Sequence, residues 1–170
     1  MTFDNIHEVE KTNCELSDNI EDRYFNEFIL ELLENLDILE RDLALLKNDN
    51  SKKQIINRIF RKIHTINGLA GFVSHNIIEE LSHKTEDLLN QVRKGEMSAN
   101  ASIILIVYQA CELIRDLCKN KTRSFSDVLK NELIEFYEKL ELINNGITPF
   151  FPENVSCNNK INHRISSSRF

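Results

Sequence analysis

Three of the five histidines lie between residues 64 and 83, and His64 has a position from which an imidazole could react. On a helical wheel of about 100° per residue, His64 falls about 125° from the centre of an apolar face formed by Ile59, Ile63 and Ala70. The imidazole is therefore expected at the edge between the core and the solvent. An imidazole nitrogen with a free lone pair can act there as a nucleophile.

Two glycines, Gly68 and Gly71, share this strip of the predicted helix with His64 and Asn67. Each glycine inside a helix costs ~1 kcal/mol relative to alanine. The two residues leave the surface beside His64 without side chains. Either the helix frays or bends there, or a bulky partner must approach the imidazole closely, and the sequence leaves both explanations open.

Glu86, on the next predicted helix, lies at a similar edge angle, and His83, one turn earlier, points further outward. A carboxylate that accepts the Nδ1 proton fixes the imidazole tautomer and leaves Nε2 as the nucleophile. Taken alone, each of these two residues is more typical of a solvated helix face. A metal site of His64, His83 and Glu86 is the alternative, but metal ligands in helical bundles generally face inward from several helices.

The elements that must position these residues are helices. Both prolines lie beyond residue 148, and apolar residues recur at spacings of three and four along most of the chain. The first predicted helix runs from about Phe25 to residues 47–50, and the second from an N-cap at Ser51 to a break at 74–76. The third follows that break and ends at Gly95. The fourth runs from about Ala99 to Lys119, and the fifth from a cap at Ser124 or Ser126 to about Gly146. This pattern predicts an all-α fold, an antiparallel four-helix bundle with a fifth C-terminal helix.

The expected domain organisation is one bundle with two tails. Residues 1–20 are predicted to form a disordered acidic N-terminal tail, residues 21–146 the helical bundle, and residues 147–170 a flexible C-terminal tail. The longest apolar run, Ile103 to Tyr108, is far shorter than the ~20 residues that span a bilayer, and the polar N-terminus does not resemble a signal peptide. We therefore expect a cytoplasmic protein that does not insert into membranes.

Charge and cysteine content narrow the function classes. A formal charge of −6 argues against nucleic-acid binding, because no basic stripe is available to meet phosphate backbones. The four cysteines lack CxxC spacing, which favours reduced thiols. Cys111 and Cys118 are seven residues apart and are expected to lie on one helix face as small apolar residues.

The segment from Ile59 to Phe72, IFRKIHTINGLAGF, resembles the signature of histidine-phosphotransfer (HPt) domains, and more narrowly the N-terminal HPt domain of bacterial chemotaxis histidine kinases. That family pattern runs Phe-Arg-x-x-His-(Ser/Thr)-Ile-Lys-Gly, then small residues, then a His and a Glu on the next helix and an Arg/Lys-Gly-Glu at its end. The resemblance covers residues from about 22 to 143. The matching residues are Phe60, Arg61, His64, Thr65, Ile66, Gly68, Ala70, Gly71, Glu80, His83, Glu86, Leu88, Leu89, Lys94, Gly95 and Glu96.

The resemblance implies a role for each matched polar residue. His64 would carry the phosphoryl group on Nε2, Glu86 would hold Nδ1, and His83 would belong to the surrounding polar network. Gly68 would leave room for a receiver domain to bring its aspartate in line. No cofactor is expected in this chain, and Mg²⁺ would belong to the partner receiver domain.

One residue departs from the family pattern. The family has a lysine three residues after the histidine, whose ammonium can offset phosphate charge, and this chain has Asn67 there. Asparagine can donate a hydrogen bond but carries no charge. Lys62 and Lys84 are near in sequence and could substitute for the missing cation.

The function implied is that of a phosphocarrier in a phosphorelay, and not of an enzyme. The sequence has no glycine-rich phosphate loop and no ATP-binding motifs of a histidine kinase. The expected partners of this monomer are a response-regulator receiver domain, a histidine kinase, or both. The alternatives are a phosphate-independent helical module that sequesters a receiver or kinase, and a degenerate fragment of a chemotaxis histidine kinase.

Overall fold

A computed structural model describes the backbone over residues 4–46, 52–119 and 126–151, and the side chains over residues 23–46, 53–119 and 126–151. Within these ranges all regular structure is helical, as the sequence predicts. The helices are α1 (Asp4–Leu45), α2 (Lys52–Phe72), α3 (Asn76–Lys94), α4 (Ala101–Lys119) and α5 (Asp127–Asn144).

Helices α1 to α4 form a closed bundle. Helix α1 packs against α2 and α4, and α3 packs against α2 and α4, so each of the four has two neighbours within the bundle. Helix α5 packs onto α4. Short connections such as residues 73–75 make consecutive helices antiparallel. The predicted four-helix bundle with a fifth C-terminal helix is confirmed.

The core follows the predicted apolar spacing. On α2, Ile59, Ile63 and Ala70 are all completely buried, and they place one face of the helix against the bundle interior. Leucines of α1 at the predicted three- and four-residue spacing meet them. These buried α1 residues are Leu32, Leu36, Leu39, Leu43 and Leu46. Because the apolar face of α2 is buried in the core, His64, which lies at the edge of that face, is exposed at the surface.

Two polar contacts to α1 help to fix the rotation of α2. The half-exposed Arg58 guanidinium binds the buried Asp42 carboxylate, with Nη2 and Oδ1 2.7 Å apart. One turn further along α2, Lys62 Nζ donates to Asn35 Oδ1 at 3.0 Å. Both contacts lie on the side of α2 that faces α1, which leaves the other side free for α3.

Local caps set the ends of α3 and α4. Gly95 ends α3 in the left-handed conformation, with φ of 78°, and its N–H bonds to the carbonyls of Gln91 and Val92. This is the predicted glycine stop. Helix α4 begins at Ala101, two residues later than predicted. The reason is Asn100, whose Oδ1 accepts from the Ile103 N–H at 3.0 Å and so occupies the N-cap position.

The remaining helix ends agree with the prediction to different degrees. Ser126 caps α5 by accepting from the Leu129 N–H at 3.2 Å. The alternative cap of α5, Ser124, and the predicted cap of α2, Ser51, both lie outside the described residues. Helix α1 ends at Leu45, slightly before the predicted stop at 47–50, a range that also lies outside them. The predicted C-terminal tail is described only over residues 147–151, which have no regular structure.

The start of α1 differs from the prediction. The helix begins at Asp4, inside the segment 1–20 that the sequence predicts as disordered. Residues 4–45 contain neither glycine nor proline, so nothing in the backbone ends the helix. Extending an existing helix costs far less than nucleating one. The prediction placed the start of the helix too late because it relied on the apolar stripe, which residues 4–20 lack.

Cys111 and Cys118 are both buried on α4 and form no disulfide, as their spacing predicts. Burial raises the pKa of the Cys118 thiol to about 12, and it raises that of Cys111 well above its ordinary value. Both side chains are therefore protonated thiols at neutral pH. The side chains of Cys14 and Cys157 lie outside the described residues. Across the described part of the chain, every helix is too short or too polar to cross a membrane.

Candidate functional site

His64 projects from the middle of α2 into solvent. Its side chain is 70% exposed, although the preceding residue, Ile63, is completely buried. Helix α2 continues past His64 to Phe72 without interruption, so the imidazole stands on a rigid element. The position agrees with the edge position derived from the helical wheel.

Helix α3 brings the Glu86 carboxylate to His64. The distance from His64 Nδ1 to Glu86 Oε1 is 3.0 Å, and only 17% of the Glu86 side chain is exposed. A carboxylate accepts hydrogen bonds but donates none, so in the neutral imidazole Nδ1 carries the proton. Nε2 then keeps its lone pair. The structure thus unites the two residues that the sequence proposed as nucleophile and orienting base.

Asn67 reaches the second oxygen of the same carboxylate. Its Nδ2 donates to Glu86 Oε2 at 3.3 Å, and its Oδ1 lies 3.5 Å from the Oγ of the fully buried Ser82. Asn67 is therefore part of the site, and its described side-chain contacts are with Glu86 and Ser82. The sequence identified the position only as that of the family lysine, and Ser82 was not singled out at all.

His83 has a different neighbour from the one that the resemblance implies. Its Nδ1 lies 3.7 Å from Asp87 Oδ2, and both side chains are mostly exposed. The described contacts do not join His83 to His64 or Glu86. Among the residues whose side chains are described, no three His, Cys, Asp or Glu side chains are grouped so that they could hold a metal ion.

An aromatic ring and a cation support the other side of His64. The Phe60 ring stacks nearly parallel to the imidazole, with 6.3 Å between centroids and 6° between planes. The Arg93 guanidinium lies over the Phe60 ring, 4.1 Å from its centroid. Phe60 belongs to the matched motif but received no role from the sequence, and Arg93 was missed. The signal for Arg93 was its spacing of seven from Glu86, which places both on one strip of α3.

The two glycines of the strip have different surroundings. A Cβ added at Gly68 would meet nothing within 4 Å, whereas one added at Gly71 would contact the Glu79 carboxylate at 3.5 Å. Because α2 continues through both residues, neither one ends the helix. Gly68 therefore keeps an open space beside His64 that nothing in the described part of the chain fills.

The two lysines considered as substitutes for the family cation are placed elsewhere. Lys62 Nζ is bound to Asn35 of α1, on the other side of α2 from Glu86. Lys84 is exposed and lies about 200° around α3 from Glu86. Neither lysine takes over the position that Asn67 occupies.

Comparison with known proteins places this site in context. The family model for the Hpt domain matches residues 23–141. The chain is 33% identical over 120 residues to the sensor histidine kinase CheAY of Helicobacter pylori, covering 69% of this chain and 15% of that protein. It is 32% identical over 93 residues to the chemotaxis protein CheA of Salmonella typhimurium, covering 55% of this chain and 14% of that protein. The chain thus spans about one seventh of these relatives.

A solved structure has the same fold. It is the phosphorylated P1 domain of CheA3 in complex with CheY6 from R. sphaeroides, with a TM-score of 0.60 and 18% sequence identity. The match covers 71% of this chain and 97% of that one.

Proposed function

The chain belongs to the Hpt domain family, and on that premise we propose that it is a phosphocarrier of a phosphorelay. His64 accepts a phosphoryl group on Nε2 and exchanges it with an aspartate of a response-regulator receiver domain. One observation carries the proposal: an exposed imidazole whose Nδ1 is held by Glu86 at 3.0 Å. As a carrier, the chain receives its phosphate from a histidine kinase or a phosphorylated receiver, and it acts in the cytoplasm as a monomer.

The proposed step is an in-line transfer between two nucleophiles. The Nε2 lone pair attacks the phosphorus of the aspartyl phosphate, the P–N bond forms, and the P–O bond breaks with its electron pair going to the aspartate carboxylate. The imidazole ring gains positive charge as Nε2 bonds to phosphorus. Glu86 stabilises that charge through the Nδ1–H, and the reverse step returns the phosphoryl group by the same path. Mg²⁺ is expected on the receiver domain, and no cofactor is required from this chain.

The surface beside His64 supports a protein partner. Gly68, one turn after His64, leaves open space, and Phe72 at the end of α2 is 81% exposed. Residues 65–72 carry no charged side chain. An uncharged strip with an exposed aromatic ring suits docking of another folded domain. The structural neighbour is itself a P1 domain in complex with CheY6.

A second candidate function is phosphate-independent binding of a receiver or kinase. Asn67 is the observation that favours it, because the family's lysine could offset phosphate charge and asparagine cannot. The two functions differ in whether His64 ever becomes phosphorylated, and both use the same docking surface.

Transfer of radiolabelled phosphate decides between them. The protein is incubated with a receiver domain carrying labelled aspartyl phosphate, and separately with a histidine kinase and labelled ATP. We expect the chain to take up label that is lost in acid and retained in alkali, the stability of a phosphohistidine. A chain that binds the receiver in a pull-down but takes no label from either donor contradicts the carrier function and supports sequestration.

Replacing Glu86 with Ala is expected to slow phosphorylation of His64 about tenfold or more, because the imidazole loses the acceptor that selects the reactive tautomer. The helix should remain, since alanine is the best helix former. Rates of label uptake are compared at equal protein concentration, with circular dichroism to verify folding. The Asp87→Ala variant is the matched control, since Asp87 is exposed and faces His83. Equal rates for Glu86→Ala and wild type would remove Glu86 from the mechanism.

A further inference from the structure

The Glu86 carboxylate is held at both of its oxygens. Oε1 lies 3.0 Å from His64 Nδ1, and Oε2 accepts from Asn67 Nδ2 at 3.3 Å. A carboxylate held at one oxygen can rotate about its last bond, and a second donor restricts that rotation. Asn67 comes from α2 and Glu86 from α3, so the contact also ties the two helices together beside the imidazole.

The Asn67 amide has one chemically sensible orientation in this setting. A carboxylate only accepts hydrogen bonds, so the amide NH₂ must face Glu86 and the amide oxygen must face away. On that side lies Ser82, which is completely buried, with its Oγ 3.5 Å from Asn67 Oδ1. The Ser82 hydroxyl is itself anchored 2.6 Å from the carbonyl oxygen of Ile78. A fixed hydroxyl therefore borders Asn67 on the side opposite Glu86.

We propose, on the basis of the carrier function above, that Asn67 is a positioning residue: it holds Glu86 in the orientation that keeps the His64 proton on Nδ1. Its role differs from that of a cation beside the phosphoryl group. Its donor is directed at Glu86, and it leaves the negative charge of that carboxylate intact beside the imidazole. The positive charge that balances the phosphoryl group then comes mainly from the partner. Asn67 acts before the transfer, because it keeps the lone pair of Nε2 available.

The imidazole tautomer is the property that this role controls. Ring ¹⁵N chemical shifts distinguish Nδ1–H from Nε2–H, and they are measured on the unphosphorylated protein with the imidazole neutral. In the wild type we expect the Nδ1–H form to dominate. In Asn67→Ala we expect a substantial population of the Nε2–H form and a rate of phosphorylation lower by about threefold to tenfold. In Asn67→Asp, repulsion between the two carboxylates should raise the population of the Nε2–H form and lower the rate of phosphorylation further.

Two further variants control for unrelated effects. Asn67→Lys places a hydrogen-bond donor at the same position and should keep the Nδ1–H form. A residue of different charge would then restore the tautomer that alanine loses. Asn57→Ala removes another half-buried asparagine of α2, three turns away, and should change neither the tautomer nor the rate. Circular dichroism and thermal melts establish that all variants fold.

The outcome for Asn67 is separable from the outcome for the carrier function. An Asn67→Ala variant that folds and retains the wild-type tautomer ratio overturns the positioning role, even if its phosphorylation is slow. A tautomer shift in Asn67→Ala that is absent in Asn67→Lys supports the role. The tautomers are measured without phosphate. A tautomer shift in Asn67→Ala, together with a wild type that takes up no label, would therefore reject the carrier function alone.

Discussion

The His64→Gln variant is expected to accept no acid-labile phosphate while folding like the wild type. Glutamine provides an amide of similar length but no nucleophilic ring nitrogen, so the P–N bond cannot form. The His64 side chain is 70% exposed, and substitution at such a position usually changes the free energy of unfolding by no more than about 0.5 kcal/mol. Loss of label therefore reports on chemistry and not on misfolding. Label uptake from a phosphorylated receiver and urea unfolding are measured on the same preparation.

The matched control for this variant is His83→Gln. His83 is also an exposed histidine, nineteen residues later, and its Nδ1 faces Asp87 instead of the His64–Glu86 pair. We expect His83→Gln to take up label at a rate within about twofold of wild type, since removing a distant exposed contact changes little. Label retained by His64→Gln would refute phosphorylation at His64. Loss of label in His83→Gln would instead support the network role that the family resemblance implies for His83.

The Gly68→Leu variant is expected to lose about 100-fold in the rate of phosphate exchange with a receiver domain, which corresponds to about 2.7 kcal/mol in the barrier. A leucine one turn after His64 would occupy the open space through which the partner's aspartate must approach. The fold should become more stable by up to about 1 kcal/mol, because glycine is a poor helix former and an added Cβ meets nothing within 4 Å. Transfer and stability are thus predicted to change in opposite directions.

A graded series distinguishes lost space from lost flexibility. Gly68→Ala adds only a Cβ and should gain most of the helix stability with a much smaller loss of exchange. A small phosphoramidate donor, which needs no docking surface, should phosphorylate Gly68→Leu at nearly the wild-type rate. If alanine and leucine slow the exchange equally, backbone freedom at Gly68 matters and open space does not. If neither slows it, the receiver approaches from another direction.

The family resemblance and the helical wheel together anticipated the site as a pair of residues on two helices. The wheel placed His64 and Glu86 at helix edges because each helix has one strongly apolar face, and burial of that face fixes the rotation of the helix. Ile63 is completely buried, so the adjacent His64 has to emerge at the border. The resemblance then assigned the two residues to each other. Their separation of 3.0 Å follows from the close packing of α2 on α3.

Side-chain partners were the part that the sequence could not predict. Lys62 was a candidate cation for the site, but it binds Asn35 of α1. His83 was a candidate for the polar network, but it faces Asp87 on its own helix. For each side chain, the sequence offered more than one possible partner. The choice depends on rotamers and on the distance between helices, which only the packed bundle defines.

The sequence by itself determined the all-helical class, the stop at Gly95, the buried face of α2 and the place of His64 at its edge, because these depend on the local 3.6-residue period and on backbone propensity. Only the tertiary structure decided that Asn67 donates to Glu86, that Arg93 covers Phe60, and that Gly68 faces open space while Gly71 does not. Those contacts join residues of different helices or depend on a neighbouring helix. Local pattern carries no information about them, since they arise only when α2 and α3 come together.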